Sequence, residues 1–165
     1  MSDDSKPDGS QAAEASQVFE IRKIYLKDVS FESPLAPGLF TEQRQWRPEY
    51  NVQLNAESHP QGESLFEVVL SITVTAKLDQ DTAWLVEVKQ AGLFRLEGFA
   101  TPVLGHMLGS YCPNTLLPFA REAVADLVGK GGLPAFLLTP INFDALYAQH
   151  LKKLGTSVAA PQTAQ

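Results

Sequence analysis

Cysteine is almost missing from this chain, and Cys112 stands alone. A single thiol excludes an intramolecular disulfide framework and fits a reducing compartment. Histidine is sparse too, and His59, His106 and His150 lie too far apart for a metal-ligand spacing. Positive charge is in the minority, with 13 Lys and Arg against 19 Asp and Glu and a formal net charge of −6. A binder of phosphate backbones needs a basic face, so nucleic acid is not an expected partner. No apolar run approaches the roughly 18 residues that span a bilayer. The start, Met1 to Asp8, lacks the basic stretch and apolar run of a secretory signal. Glycine motifs are missing as well. Gly129-Lys130 is not followed by Ser or Thr, and neither a dinucleotide fingerprint nor a Gly-x-Ser-x-Gly elbow is found. The expectation is a soluble cytoplasmic protein without metal or nucleotide.

What is present is an ordinary globular interior. The chain has 165 residues and is 44% apolar, enough for one domain and too much for wholesale disorder. Residues 1–17 and 155–165 are polar, unpatterned and expected as disordered tails, leaving 18–154 as the folded part. The clearest periodic signal runs over 65–78. Phe66, Val68, Leu70, Ile72, Val74, Ala76 and Leu78 alternate with mostly polar residues, as in a strand with one buried face. Asp79 to Thr82 reads as a turn, and Ala83 to Leu96 as the second strand of a long antiparallel hairpin. Trp84, Val86 and Val88 then share one face, and Leu85 and Glu87 the other. An earlier strand, Val18 to Phe31, carries apolar residues on both faces, which predicts cover on both sides. Tyr50 to Leu54 predicts a short edge strand. The Pro-containing stretch from Ser33 to Pro48 is too long for a tight hairpin and predicts a crossover loop.

Helices follow the strands. Thr101-Pro102 fits an N-cap with proline at the first helical position. Val103, Leu104, Met107, Leu108 and Tyr111 continue at helical spacing, and Cys112-Pro113-Asn114 is expected to kink or break the helix. Leu116, Phe119, Ala120, Ala123, Val124 and Leu127 extend the stripe until Gly129 to Gly132 stop it. Asn142 reads as the cap of a last amphipathic helix with Phe143, Leu146, Tyr147, His150, Leu151 and Leu154 on one face. Strands first and helices after place the chain in the α+β class.

Two features exceed what a core requires. Leu39, Phe40 and Trp46 in the loop, Tyr50, Val52 and Leu54 on the edge strand, and Phe143, Leu146 and Tyr147 on the last helix could line a groove or an oligomer interface. Asp28 and Glu32 flank Phe31, and Glu87 lies within a strand, which makes an acidic sheet face. The bland reading of both, a single core and a solvated face, stands beside these. A Cys/His nucleophile pair, Cys112 with His106, competes with a small buried cysteine beside a helix break.

Four blocks carry a resemblance. Lys27-Asp28-Val29-Ser30-Phe31-Glu32-Ser33-Pro34 is similar to a signature of the SecB family of export chaperones. So are Glu67-Val68-Val69-Leu70 with Thr73-Val74-Thr75-Ala76, Tyr111-Cys112-Pro113-Asn114 through Arg121, and Pro140-Ile141-Asn142-Phe143-Asp144-Ala145-Leu146-Tyr147. The resemblance implies a four-stranded antiparallel sheet with a kinked long helix and a C-terminal amphipathic helix, assembled as a dimer of dimers. It implies no enzyme activity and no cofactor. The partners it implies are unfolded precursor proteins and the SecA motor ATPase, with no nucleic acid and no membrane insertion. An acidic patch for SecA's zinc-bearing basic tail carries over onto Asp28, Glu32 and Glu87, with Leu85 beside it. A client groove carries over onto Phe31, Trp46, Tyr50, Val52, Leu54, Phe143 and Leu146. Subunit contacts carry over onto Trp84, Val86, Val88, Gln90 and Tyr111. The chain departs from the family pattern in a slightly longer loop over Leu39 to Trp46, in Leu117 for a common aromatic, and in Tyr50 for a smaller aliphatic. The runner-up is a SecB-like chaperone dedicated to one client, such as a toxin–antitoxin pair. A Cys/His enzyme and a plain oligomeric scaffold are the readings from other classes.

Overall fold

The computed structural model describes residues 16–43 and 45–158. Most of the two expected tails lies outside these residues. The elements are β1 (Val18–Glu32), a helical turn α1 (Gly38–Thr41), β2 (Glu49–Pro60), β3 (Leu65–Leu78), β4 (Asp81–Glu97), α2 (Thr101–His106), a π turn (Met107–Tyr111), α3 (Cys112–Lys130) and α4 (Phe143–Val158). Strands precede helices, as the α+β reading requires, and the four strands form one antiparallel sheet in the order β1-β4-β3-β2.

The alternation of β3 and β4 builds the core. Val68, Leu70, Ile72, Val74 and Ala76 of β3 are fully buried, and so are Trp84, Val86 and Phe94 of β4. α3 covers this face with Cys112, Leu116, Ala120, Val124 and Val128, a row at four-residue spacing. One residue of the α3 stripe departs from the expectation. Phe119 is 47% exposed, whereas Leu117 is buried. The hairpin turn is tighter than expected, because β3 ends at Leu78 and β4 begins at Asp81. Asp79 adopts positive φ there, which an Asp tolerates through its short polar side chain.

β1 behaves differently from its expected simple alternation. Register shifts fall between Ile21 and Lys23 and between Leu26 and Asp28. Each bulge adds one residue and swaps the faces beyond it. The helix-facing row is therefore Phe19 and Ile21, then Ile24 and Leu26, then Val29 and Phe31, opposite Leu96, Phe94, Gly92, Gln90, Val88 and Val86. The apolar residues on both faces come from bulges rather than from a second covering layer. β1 and β2 are the two edges of the sheet, so residues 33–48 cross its full width, as the crossover reading expected.

The helices also refine the sequence reading. Ala100 occupies the N-cap of α2 without a side-chain hydrogen bond, so the helix begins at Thr101, one position earlier than expected, and Pro102 is its second residue. The chain does not break at Cys112-Pro113-Asn114, and helical structure runs on through the π turn, where the Cys112 N–H reaches Met107 O. Pro113 lacks an N–H and would crowd the carbonyl four residues earlier, and the wider turn just before it relieves that conflict. Asn142 Oδ1 accepts the Ala145 N–H, a working cap for α4, which extends to Val158, past the expected limit of 154.

Gly92 sits where β4 and α3 pack closely. A Cβ there would lie 2.6 Å from the Phe94 ring and 3.0 Å from Leu116. Gly92→Ala is expected to destabilise the protein by about 1–3 kcal/mol through overpacking, read from the midpoint of chemical denaturation.

Candidate functional site

The two faces of the sheet carry different chemistry. On the outer face, the second bulge of β1 sets Asp28 opposite Lys89, Ser30 opposite Glu87 and Glu32 opposite Leu85. Directly opposed side chains on one face lie about 4.5–5.5 Å apart at Cβ. Ser30 Oγ donates to Glu87 Oε2 at 3.3 Å, which fixes both on the same side. Asp28, Glu32 and Glu87 are exposed, and Leu85 is half-buried. The four residues expected as an acidic patch thus stand on two adjacent strands. Lys89, two residues from Glu87 on β4, faces Asp28 and offsets one of the three charges.

The apolar candidates fall into three places rather than one. Leu54, Phe143 and Leu146 line a cavity of about 480 Å³ between β2, the α2–π segment and α4. Ala56, Leu108, Tyr147, Leu151 and Leu154 add to its apolar wall. Phe143 is 4% exposed and anchors α4 in the core, so it lines the cavity from within. Tyr50 stands further along the same face of β2, in an aromatic cluster with Trp84 and Phe136. The Tyr50–Phe136 centroids are 4.8 Å apart and the Trp84–Phe136 centroids 5.6 Å. Burial raises the Tyr50 phenol above its ordinary range, opposed by a hydrogen bond from Trp46. Val52 bridges these two places on β2 and is 44% exposed. Phe31 does not join them. It pairs with Val86 on the opposite edge strand, and its ring lies against Gly131 at the end of α3. Two strands, each about 4.8 Å wide, separate it from β2.

The residues expected at subunit contacts also divide. Trp84, Val86, Val88 and Gln90 are at most 4% exposed within a single chain. Their side chains belong to the protomer's own interior beneath α3, so a direct contact with a neighbouring subunit is corrected to a packing role. The reason is the alternation of β4, whose even positions all face the helices. Tyr111 is 48% exposed and meets Phe19 edge-on at 5.1 Å, so it remains a surface residue.

α4 is attached by a small set of groups whose pairing the sequence reading did not give. Tyr147 packs so closely on the α2–π segment that a Cβ at Gly105 would lie 2.8 Å from its hydroxyl. His106 Nε2 lies 2.8 Å from Asp144 Oδ1, and Ser110 Oγ donates to the same oxygen at 2.6 Å. Ser110, and then His106, hold the Asp144 carboxyl below its ordinary range. The acid in the first turn of α4 was the available signal, but nothing in the sequence named its partners. Cys112 is fully buried, and desolvation pushes its thiol up to about 12. With His106 engaged by Asp144, the Cys112/His106 nucleophile pair does not assemble. Among the described residues no cluster of His, Cys, Asp and Glu could hold a metal ion. No helix of the described residues is long and apolar enough to cross a membrane.

Asp144→Ala is expected to release α4 while leaving the sheet intact. Amide exchange along α4 should quicken roughly 3–10-fold, with β3 and β4 unchanged. Because the folded carboxyl titrates below its ordinary value near 3.9, its contribution is in place above that pH. It is lost as pH falls through the lower folded value, so the wild-type helix should loosen only in strong acid.

The family model for "Preprotein translocase subunit SecB" matches residues 12–154. The protein-export protein SecB of Nitrosococcus oceani is 56% identical over 142 residues, covering 86% of this chain and 87% of that one. That of Thioalkalivibrio sulfidiphilus is 50% identical over 162 residues, covering 98% of this chain and 95% of its own. A SecB-like chaperone of Mycobacterium tuberculosis, solved in complex with a ChAD peptide from the HigA1 antitoxin, superposes with a TM-score of 0.62. It is 22% identical and covers 74% of this chain and 90% of that one, a likeness of fold. A family model over residues 12–154, and about half of its residues shared with the two export proteins of Nitrosococcus and Thioalkalivibrio, place the chain in the SecB family.

Proposed function

We propose that this protein is a nucleotide-independent export chaperone of the cytoplasm. It holds precursor proteins unfolded and passes them to SecA. The observation that carries the reading is the segregation of two surfaces on one thin domain of this family. An apolar groove lies on the helix side, and an acidic patch lies on the outer face. The groove takes apolar client segments without reading a sequence. Leu146, Leu151 and Leu154 of α4 expose 41%, 49% and 52% of their surface beside it, a flexible aliphatic wall suited to varied clients. A holdase binds the unfolded state and opposes folding by mass action, which needs apolar area and no chemical energy.

The acidic patch suits a basic partner. Asp28, Glu32 and Glu87 receive the zinc-bearing basic tail of SecA, with Leu85 as an apolar contact among them. Opposite charges speed encounter and make the complex salt-sensitive, since exposed charges are screened within about 8 Å at physiological ionic strength. The protein works as a homotetramer, a dimer of dimers. Ile21, Leu26 and Val29 of edge strand β1 and Tyr111 and Phe119 of the helical layer are each at least 39% exposed in one chain, which supports further cover by neighbouring copies. Four copies multiply the client sites, so avidity replaces single-site affinity.

Dilution of a denatured, slow-folding precursor into buffer without nucleotide is the direct test. Light scattering should be suppressed near one tetramer per client. No suppression at several-fold excess would move the reading to a chaperone dedicated to one client. Glu87→Lys should weaken SecA about 5–30-fold at low salt while leaving the fold unchanged, read by titration calorimetry. Trp46→Ala combined with Leu146→Ala should reduce client affinity without altering oligomer size in gel filtration, and intact holding would place the groove elsewhere.

A further inference from the structure

The second bulge of β1 decides where the acidic side chains go. Leu26 pairs with Gln90 on the helix face, Lys27 has no partner in the ladder, and Asp28 pairs with Lys89 on the outer face. In an uninterrupted strand Asp28 and Glu32 would share the face of Leu26 and point towards the helices. Glu87 would then stand alone on the outer face. The single extra residue at Lys27 therefore assembles the patch.

Groups on both sides of the sheet hold that residue in place. From the helix side, Gln90 Nε2 donates to the Tyr25 carbonyl oxygen at 2.9 Å, just before the bulge. Gln90 is 4% exposed, so this bond is shielded from water. From the outer side, Lys27 Nζ donates to Glu67 Oε1 at 2.7 Å, and the Tyr25 hydroxyl donates to the same oxygen. Glu67 belongs to β3, so both side chains cross β4 to reach it. Ala91, opposite Tyr25 on β4, is fully buried and small, which gives the crossing ring its bed. Lys27, and then Tyr25, hold the Glu67 carboxyl below its ordinary range. Burial, and then Glu67, push the Tyr25 phenol up to about 12. At neutral pH the clamp is a carboxylate between an ammonium and a neutral phenol.

We propose that Glu67 and Gln90 are positioning residues that clamp the Lys27 bulge from opposite sides of the sheet and so aim Asp28 and Glu32 out of its outer face. The consequence for SecA rests on the docking role given above to the acidic patch, but the geometry does not.

The test reads the register first, in the full-length protein. Asp28→Cys with Lys89→Cys places two thiols on directly opposed positions of one face, within disulfide reach only while the bulge holds. Cys112 is buried and does not compete. The pair should oxidise readily in the otherwise unchanged protein. Adding Glu67→Ala should slow oxidation about tenfold, and Lys27→Met, at an exposed site that does not threaten folding, severalfold. Glu67→Gln, which keeps an oxygen acceptor, should restore most of the rate. Unchanged oxidation in both Glu67→Ala and Lys27→Met overturns the clamp.

Binding is read separately, in proteins that keep Asp28 and Lys89. Glu67→Ala should weaken the zinc-loaded C-terminal peptide of SecA about tenfold, with client holding unaltered. Slowed oxidation with unchanged peptide affinity upholds the clamp and overturns the docking role of the patch.

Discussion

The period of two along β4 is the constraint on which the rest depends. β4 lies between β1 and β3, so each of its side chains is shared with a neighbour on both sides. Its even positions from Trp84 to Leu96 are buried under the helices, with Gly92 making room for Leu116 of α3. Its odd positions, Leu85, Glu87 and Lys89, face out. A slip of one residue would bring Glu87 beneath α3 and turn Val86 and Val88 out. The cost of burying an unpaired carboxylate makes that slip prohibitive. β4 is thus the ruler that sets the register of both neighbours.

The helical layer is constrained at one end and loosely held at the other. α3 lies along the core with a row of side chains at four-residue spacing, from Cys112 to Val128. α4 has no comparable row. It is held by Phe143, by Tyr147 on Gly105 and Gly109, and by the bonds of His106 and Ser110 to Asp144, all in its first two turns. Beyond Tyr147 it carries Leu151 and Leu154 about half exposed. Elements that adapt to ligands come from the less firmly held parts of a fold. The wall of the groove is such a part and its floor, β2 on β3, is not.

How much of this was legible in the sequence follows from where the rules are local. β3 and β4 alternate without interruption through their central parts, and both strands and their buried faces could be read directly. β1 could not, because a bulge leaves no mark in composition, and two bulges in one strand made its apolar residues look two-sided. Asp28, Glu32 and Glu87 could be read as acidic strand residues, but the same blindness hid how a bulge brings them to one face. The groove residues were identified one by one. Their separation into the Leu54–Leu146 cavity, the Tyr50–Trp84–Phe136 cluster and the isolated Phe31 depended on strand order, which no local pattern encodes. Gln90, Glu67 and Asp144 were underread for a common reason. Each acts through a partner 34 to 65 residues away.

The two surfaces are linked by architecture more than by motion. The acidic residues stand on β1 and β4, while the cavity is bounded by β2, α2, the π turn and α4. Between them lies the fully buried row from Val68 to Ala76, packed against Val86 and Val88. Interiors of this density do not deform continuously, and a signal between distant sites needs an element with two packings. The ladders that hold β4 to β1 and β3 resist such a change, and a one-residue slip would bury Glu87. α4 can shift with less disturbance to β1 and β4, because the Asp144 bonds that hold its first turn end on the α2–π segment. In the proposed reading a client can therefore be accommodated by movement on the helix side while Asp28, Glu32 and Glu87 keep their spacing. A chaperone that must present the same docking surface with any client bound needs that division between an adaptable wall and a fixed face.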